Sequence, residues 1–368
     1  MMSDGTSIAG ESAAALSAAS SEGVAVRSRR IDVEALRIVS AIMVVTIHIT
    51  SAFVPGEQGY VYGTANWVAV LANMASRCSV PVFFAISGWA MLARSEQPDE
   101  ASWLGRRLQR LLVPLLIWDL VFVACAWVVA QSHGWRLWTP AAGPSSWLLH
   151  EATIILAGPG TAAHLWFMYY LIPLTIVLWL VRVVPRAIAE SRTRVVFGVA
   201  AATLILPYGS VGAFNVGLSW APFGYALGYA VLGYVVISAG PPRRSISLAL
   251  FFGATAGLVV AEQLIGYNQW EMSYPGPLVF AQTIALIGLV RSVSIPDRWH
   301  GTIARAAKLT FGVYLLHLIF VQGFMITLYT WPVPDILMLV ISWLATVTLS
   351  FAMVAGWHRI RGLERILG

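Results

Sequence analysis

Charge is scarce in this sequence: Asp, Glu, Lys and Arg together make up 11% of the 368 residues, against roughly a quarter in soluble domains. Hydrophobic residues take their place at 58%, which argues against a soluble globular enzyme and for a polytopic membrane protein. Cysteine is scarcer still. Cys78 and Cys125 are the only two; both fall in apolar runs and read as small hydrophobes, not as a disulfide or metal site. The chain does not open with a basic stretch followed by an apolar core, so no cleaved signal peptide is expected. Its first 26 residues, rich in Ala, Ser and Gly, read as a disordered tail.

What the chain does have is apolar runs long enough to cross a bilayer as helices, near 36–54, 67–93, 111–131, 164–184, 194–208, 220–238, 246–265, 277–292, 309–329 and 335–356. They predict an all-α polytopic membrane protein of ten transmembrane helices, with residues 1–30 a cytoplasmic tail and 31–368 a single domain. The net charge of +6 would suggest nucleic acid in a soluble protein; here the basic residues alternate between the gaps. The stretch up to Arg37, the gaps 94–110, 182–194, 243–244 and 291–308, and the end from 359 hold every Lys and Arg except Arg77, inside the second run, and Arg136. That alternation predicts cytoplasmic N and C termini in a multi-pass protein of the cell's inner membrane, in contact with its lipids. The longest outer gap, 132–163, carries Trp135, Trp138 and Trp147, suited to the interface, and predicts a short interfacial helix at 146–157 where an acceptor could approach. A homo-oligomer, most simply a dimer, is the default expectation.

The stretch that organises the chain runs from Arg37 to His48. Eleven residues of helix are almost three turns, so both side chains lie on one face about 16 Å apart along the axis. Arg37 then marks a membrane edge, while His48 lies deep in the bilayer, where an ionisable group needs a partner or a task. His48 serves either as a hydrogen-bonded residue between helices or as a general base, since a neutral imidazole can take a proton from an attacking hydroxyl. Arg106, Arg107 and Arg110 precede the third run at spacings of three and four, placing guanidinium groups on one helical face. They suit either phosphate groups or anionic lipid. Arg77 is a charge inside the second run, followed by Ser87 and Gly88, small residues that permit close approach. Tyr314 and His317 are one turn apart in the ninth run, His164 opens the fourth, and Glu262 is a carboxylate well inside the seventh, free by sequence to pair with Arg77 or a histidine.

Taken together these residues resemble the integral-membrane acyltransferase type three family, which O-acylates surface glycans and other extracytoplasmic acceptors. The likeness runs through VEALRIVSAIMVVTIHIT and SVPVFFAISGWAML. The family's arginine and histidine of the first span match Arg37 and His48; its arginine pair before the third span matches Arg107 and Arg110. A Ser-Gly-aromatic element matches Ser87, Gly88 and Trp89, a His-x-Trp-Phe element His164, Trp166 and Phe167, and a Tyr-Leu-x-His element Tyr314 and His317. The chain departs from the family in having Glu34 for an Asp, Ile38 for a Gly, and Trp89 for a commoner Phe or Tyr. Glu34, one turn before Arg37, can still form an ion pair with it.

The resemblance implies an O-acyltransferase that moves an acyl group, acetyl by default, from cytoplasmic acyl-coenzyme A to a hydroxyl of a glycan or lipid-linked sugar. It implies no metal. His48, with Arg37 and His317, would be catalytic, and Arg106, Arg107, Arg110 and Ser87 would hold the donor. Arg77, His164, Glu262 and Tyr314 are the acceptor or oxyanion candidates, and direct transfer and an acyl-histidine intermediate both remain open. The alternative is a secondary transporter or exporter of a polar or anionic substrate using the buried His, Arg and Glu. That reading expects helices broken at mid-membrane and internal pseudosymmetry, whereas no repeat is visible and the Gly-Pro interruptions at 158–160 and 274–277 fall in outer loops.

Overall fold

A computed structural model describes residues 30–54, 67–93, 99–133, 162–183, 220–240, 242–265, 276–328, 334–363 and 366–367. The grouping of contacts separates Met1–Ile31 from Asp32–Gly368. Among the described residues there are ten α-helices and no strand, as a bilayer without water demands of a backbone that must bond within itself. They are α1 (Ile31–Thr50), α2 (Trp67–Ser76), α3 (Ser79–Leu92), α4 (Glu100–His133), α5 (Trp166–Val183), α6 (Trp220–Ser238), α7 (Arg244–Ile265), α8 (Pro277–Arg291), α9 (Asp297–Leu328) and α10 (Asp335–Trp357).

Seven stretches are long and apolar enough to span a membrane, with Gly224–Ser238 and Pro277–Arg291 as two shorter apolar helices. These account for nine of the ten expected runs. The other, 194–208, lies outside the described residues, as do Arg136, the tail, the three outer tryptophans and the stretch 146–157.

The second run is not one helix. Pro81 has no N–H to bond back to the Arg77 carbonyl, so the ladder fails there and α2 and α3 are separated by a turn at Arg77 and Cys78. The Arg77 N–H still closes the last turn of α2 onto the Met74 carbonyl at 3.5 Å. A side chain far off in sequence braces that break. Gln282 of α8 donates to the Met74 carbonyl at 2.9 Å and to Thr255 of α7 at 2.8 Å. Asn73 of α2 donates to Thr50 of α1 at 3.0 Å.

Packing is tightest between α3 and α6, where Ala85 and Gly88 face Ala230 and Gly233. A Cβ on Gly88 would fall on the Ala230 backbone, and one on Gly233 on the Ala85 backbone, so only hydrogen fits at either position. Helices α7 and α8 pair closely, as do α9 and α10. Thr46 of α1 accepts a hydrogen bond from the Trp343 indole of α10 at 2.8 Å. Arg291, at the end of α8, bonds Asp32 at 3.3 Å and the carbonyls of Val236 and Ala239 at 2.6 and 2.8 Å. These ties fix α1 within the bundle.

Gly88→Ala should therefore destabilise the protein by about 1–3 kcal/mol, the usual range for overpacking, because backbone is what the new methyl meets. Thermal unfolding in detergent would show it as a lowered midpoint. Gly253→Ala, where nothing lies within 4 Å of the added Cβ, should leave the midpoint unchanged.

Candidate functional site

Three helical elements bring three imidazoles together. His48 comes from the last turn of α1, His317 from α9, and His164 from a short 3-10 turn, Ala163–Leu165, just before α5. Ring centres lie 5.1 Å apart for His48 and His317, 5.4 Å for His164 and His317, and 6.5 Å for His48 and His164. His164 and His317 are buried, at 3% and 0% exposure, while His48 is half-buried. The position of His164 at the start of a span suggests an interfacial histidine; burial inside the cluster shows otherwise. Aromatic rings wall the cluster. Phe122 of α4 stands 4.7 Å from His164, and Phe167 of α5 lies 5.6 Å from Tyr314.

The backbone decides which nitrogen of two of these rings carries the proton. His317 Nδ1 faces the carbonyls of Tyr314 at 2.7 Å and Val313 at 3.2 Å. A carbonyl can only accept, so Nδ1 is protonated and Nε2 is left with a lone pair. His164 Nε2 faces the Leu315 carbonyl at 3.2 Å, which by the same logic leaves its Nδ1 bare. Both bare nitrogens are buried with no hydrogen-bond partner among the described residues. The Tyr314 hydroxyl donates to the His164 carbonyl, so α9 and the turn before α5 clasp each other through two hydrogen bonds.

Arg77 joins this group. It is buried, at 7% exposure, on the turn between α2 and α3, within electrostatic reach of His48. Glu262 is buried as well, but its carboxylate accepts from the side chain of its neighbour Gln263. Among the described residues it forms no ion pair with Arg77 or a histidine, so the pairing open to it by sequence is not made.

The other candidates lie at the opposite end of α1. Arg37 forms an ion pair with Glu34 at 3.4 Å, about 16 Å along the helix from His48, and does not enter the histidine cluster. The glutamate that replaces the family's aspartate thus keeps a partner. The three arginines of α4 divide instead of sharing one face. Arg106 and Arg110, one turn apart, are exposed, while Arg107, a quarter-turn round, is half-buried. Its guanidinium lies 5.7 Å from the centre of the Trp103 ring. Ser87 is half-buried on α3. At the foot of α4, Asp99 accepts the Ser102 N–H at 3.0 Å, and its hydrogen bonds with the Ser102 hydroxyl and N–H hold its carboxyl below its usual range.

Two residues that sequence reading passes over belong to this framework. Arg182, counted there only as a topology charge, is buried at the end of α5, bonded to Glu100 at 2.6 Å and 6.0 Å from the centre of the Trp103 ring. Asp119 is a second carboxylate buried inside a span, and it accepts the Tyr169 hydroxyl at 2.7 Å. Its signal was visible as a lone acid in LLIWDLVFV. Among the described residues, no group of three His, Cys, Asp or Glu has the spacing to hold a metal ion.

A family model described as an acyltransferase domain matches residues 30–355. No curated protein matches the chain, and no solved structure does. The match takes in the whole histidine cluster and the arginines at the far end of α1 and α4.

The Glu100–Arg182 pair offers a direct check on the frame of the arginine end. Removing one partner of a buried pair typically costs about 3–5 kcal/mol. Glu100→Ala should therefore lower the thermal unfolding midpoint clearly, and Glu100→Gln, which keeps an acceptor for Arg182, should lower it less.

Proposed function

We propose that this chain, which belongs to the acyltransferase type three family of multi-pass membrane proteins, takes its acyl group from a coenzyme A thioester at the arginine end and delivers it to a hydroxyl at the histidine end. Acyltransfer is what the family does; the donor, the acyl group and the acceptor are our reading. The observation that carries it is the separation of two unlike chemistries on shared helices. His48 stands about 16 Å from Arg37 along α1, and Arg107 about 22 Å along α4 from Phe122, which packs on His164.

A coenzyme A donor suits those two ends. Its phosphates match the exposed guanidinium groups of Arg106 and Arg110, with Arg107 on the same helix and Arg37 at the corresponding end of α1, since guanidinium binds phosphate in bidentate fashion. The extended arm that follows carries the thioester up the bundle. Charge alternation puts the arginine end on the cytoplasmic side, where acyl-coenzyme A is made, and the histidines toward the outer leaflet. Acetyl is the default acyl group, and a glycan or lipid-linked sugar is the acceptor that the family favours.

At the histidine end, His48 takes the hydroxyl proton as the acceptor oxygen attacks the thioester carbonyl. Stabilising the oxyanion needs a donor. Neutral His164 and His317 turn lone pairs inward, so the role falls to the Arg77 guanidinium rather than to either ring. A transporter would also use a helix broken in mid-membrane, and the α2–α3 break is one such feature; membership of an acyltransferase family favours transfer.

The test is acetyl-coenzyme A binding and turnover by purified protein in detergent. Saturable thermal stabilisation should be kept in His48→Ala and lost in Arg107→Ala/Arg110→Ala. Release of free thiol should fall by about 10²–10⁴-fold in His48→Ala, the usual contribution of a general base. Wild-type protein that is folded yet shows no stabilisation would turn the assignment toward transport.

A further inference from the structure

His317 is the most firmly held of the three rings, and the way it is held leaves it one function. Its Nδ1–H is fixed on the carbonyls of Val313 and Tyr314, and its Nε2 is buried, bare and without a partner among the described residues. A buried acceptor left unsatisfied costs about 1–3 kcal/mol, so a donor belongs there. Around it stand His164, which also turns a bare nitrogen inward, and Tyr314, whose hydroxyl is already given to the His164 carbonyl. Neither can supply the hydrogen. His48 can: its ring centre is 5.1 Å away, and it makes no hydrogen bond of its own to a described residue.

We infer that His317 is the positioning residue of His48. It accepts the one N–H of the neutral His48 ring at its Nε2, after a small rotation of His48, and so turns the bare nitrogen of His48 toward the acceptor hydroxyl. This rests on the reading of His48 as the general base. The step balances within the cluster and its substrates. The hydroxyl proton passes to His48 as the new carbon–oxygen bond forms; the carbon–sulfur bond breaks, and the departing sulfur takes the proton back. Between those events His48 carries two N–H groups, and the bare nitrogen of His317, bonded to the first, stabilises the positive charge on the ring. His164 is the poorer partner for His48, since its centre lies 6.5 Å away with the rings nearly perpendicular.

Substitution separates the role from simple packing. The Gln side chain can place an accepting oxygen where His317 Nε2 stands, whereas Asn reaches only as far as Nδ1, and Leu fills space without accepting. Full-length variants would be expressed in the source cell, and their membranes, which contain the native acceptor, assayed for thiol release from acetyl-coenzyme A. His317→Gln should keep at least a tenth of the wild-type kcat. His317→Asn and His317→Leu should lose a hundredfold or more, with KM for acetyl-coenzyme A changed less than twofold.

Wild-type activity in His317→Asn would overturn the inference, as would a His317→Gln variant no better than His317→Leu. Nitrogen-15 spectra of histidine-labelled protein give a second reading independent of turnover. The signal lost in His317→Gln should be that of a neutral ring protonated at Nδ1, and a ring protonated at Nε2 would overturn the assignment. The two levels remain separable: full activity in His48→Ala removes the base itself, whereas an inactive His48→Ala beside an active His317→Asn removes only the partner.

Discussion

A bilayer core has no water to lend to a polar group, and the placement of most buried polar side chains among the described residues follows from that constraint. Most find a partner at once. Thr46, Thr50 and Ser51 turn their hydroxyls back onto carbonyls of α1, Asp119 takes the Tyr169 hydroxyl, and Arg182 takes Glu100. Several buried polar atoms among the described residues make no hydrogen bond, and two of them are imidazole nitrogens of the histidine cluster. Main-chain carbonyls hold the opposite nitrogen of each ring, so the lone pairs are fixed by the fold and do not arise from a choice of rotamer. Such an arrangement is uncomfortable at rest and is relieved when a hydrogen arrives, which is the property a proton-handling site needs.

The same constraint explains why the second span is interrupted. A continuous helix would have satisfied its own backbone, and Pro81 prevents that at Arg77. The Arg77 carbonyl that Pro81 leaves open would be costly in lipid, yet the turn is buried in protein, and Gln282 braces it at the neighbouring Met74 carbonyl. The irregular backbone is thus tolerated because it is enclosed, and it carries Arg77, which is buried within electrostatic reach of His48.

Much of this was legible in the residues because the relevant signals are local. Apolar runs of span length gave nine helical stretches that the structure contains, and the i, i+3 spacing of Tyr314 and His317 placed both on one side of α9. Sequence could not show that His164 is buried, because its position at the start of a span looks interfacial until the 3-10 turn and the Tyr314 hydroxyl fold it inward. Nor could it show that Arg107 parts from Arg106 and Arg110. That separation depends on which face of α4 meets α5, and a pattern of charges in one helix does not contain its neighbour. Glu262 failed for the opposite reason: sequence offered distant partners, and the adjacent Gln263 took the hydrogen bond.

The two ends of the bundle have to be far apart for a further physical reason. Guanidinium groups that bind phosphate work best where they can be reached from water, and three of them concentrated beside His48 would hold it against accepting a proton by simple repulsion. Setting them about 16 Å or more away along the helices removes most of that repulsion, and among the described residues Arg77 is a guanidinium within electrostatic reach of His48. Under the proposed transfer the donor would have to span the gap, which a nucleotide joined to its thioester by a long flexible arm can do and a compact anion cannot. On the proposed reading, the distance along α1 and α4 would favour a long donor as well as an anionic one, because rigid helices cannot shorten the gap for a smaller ligand.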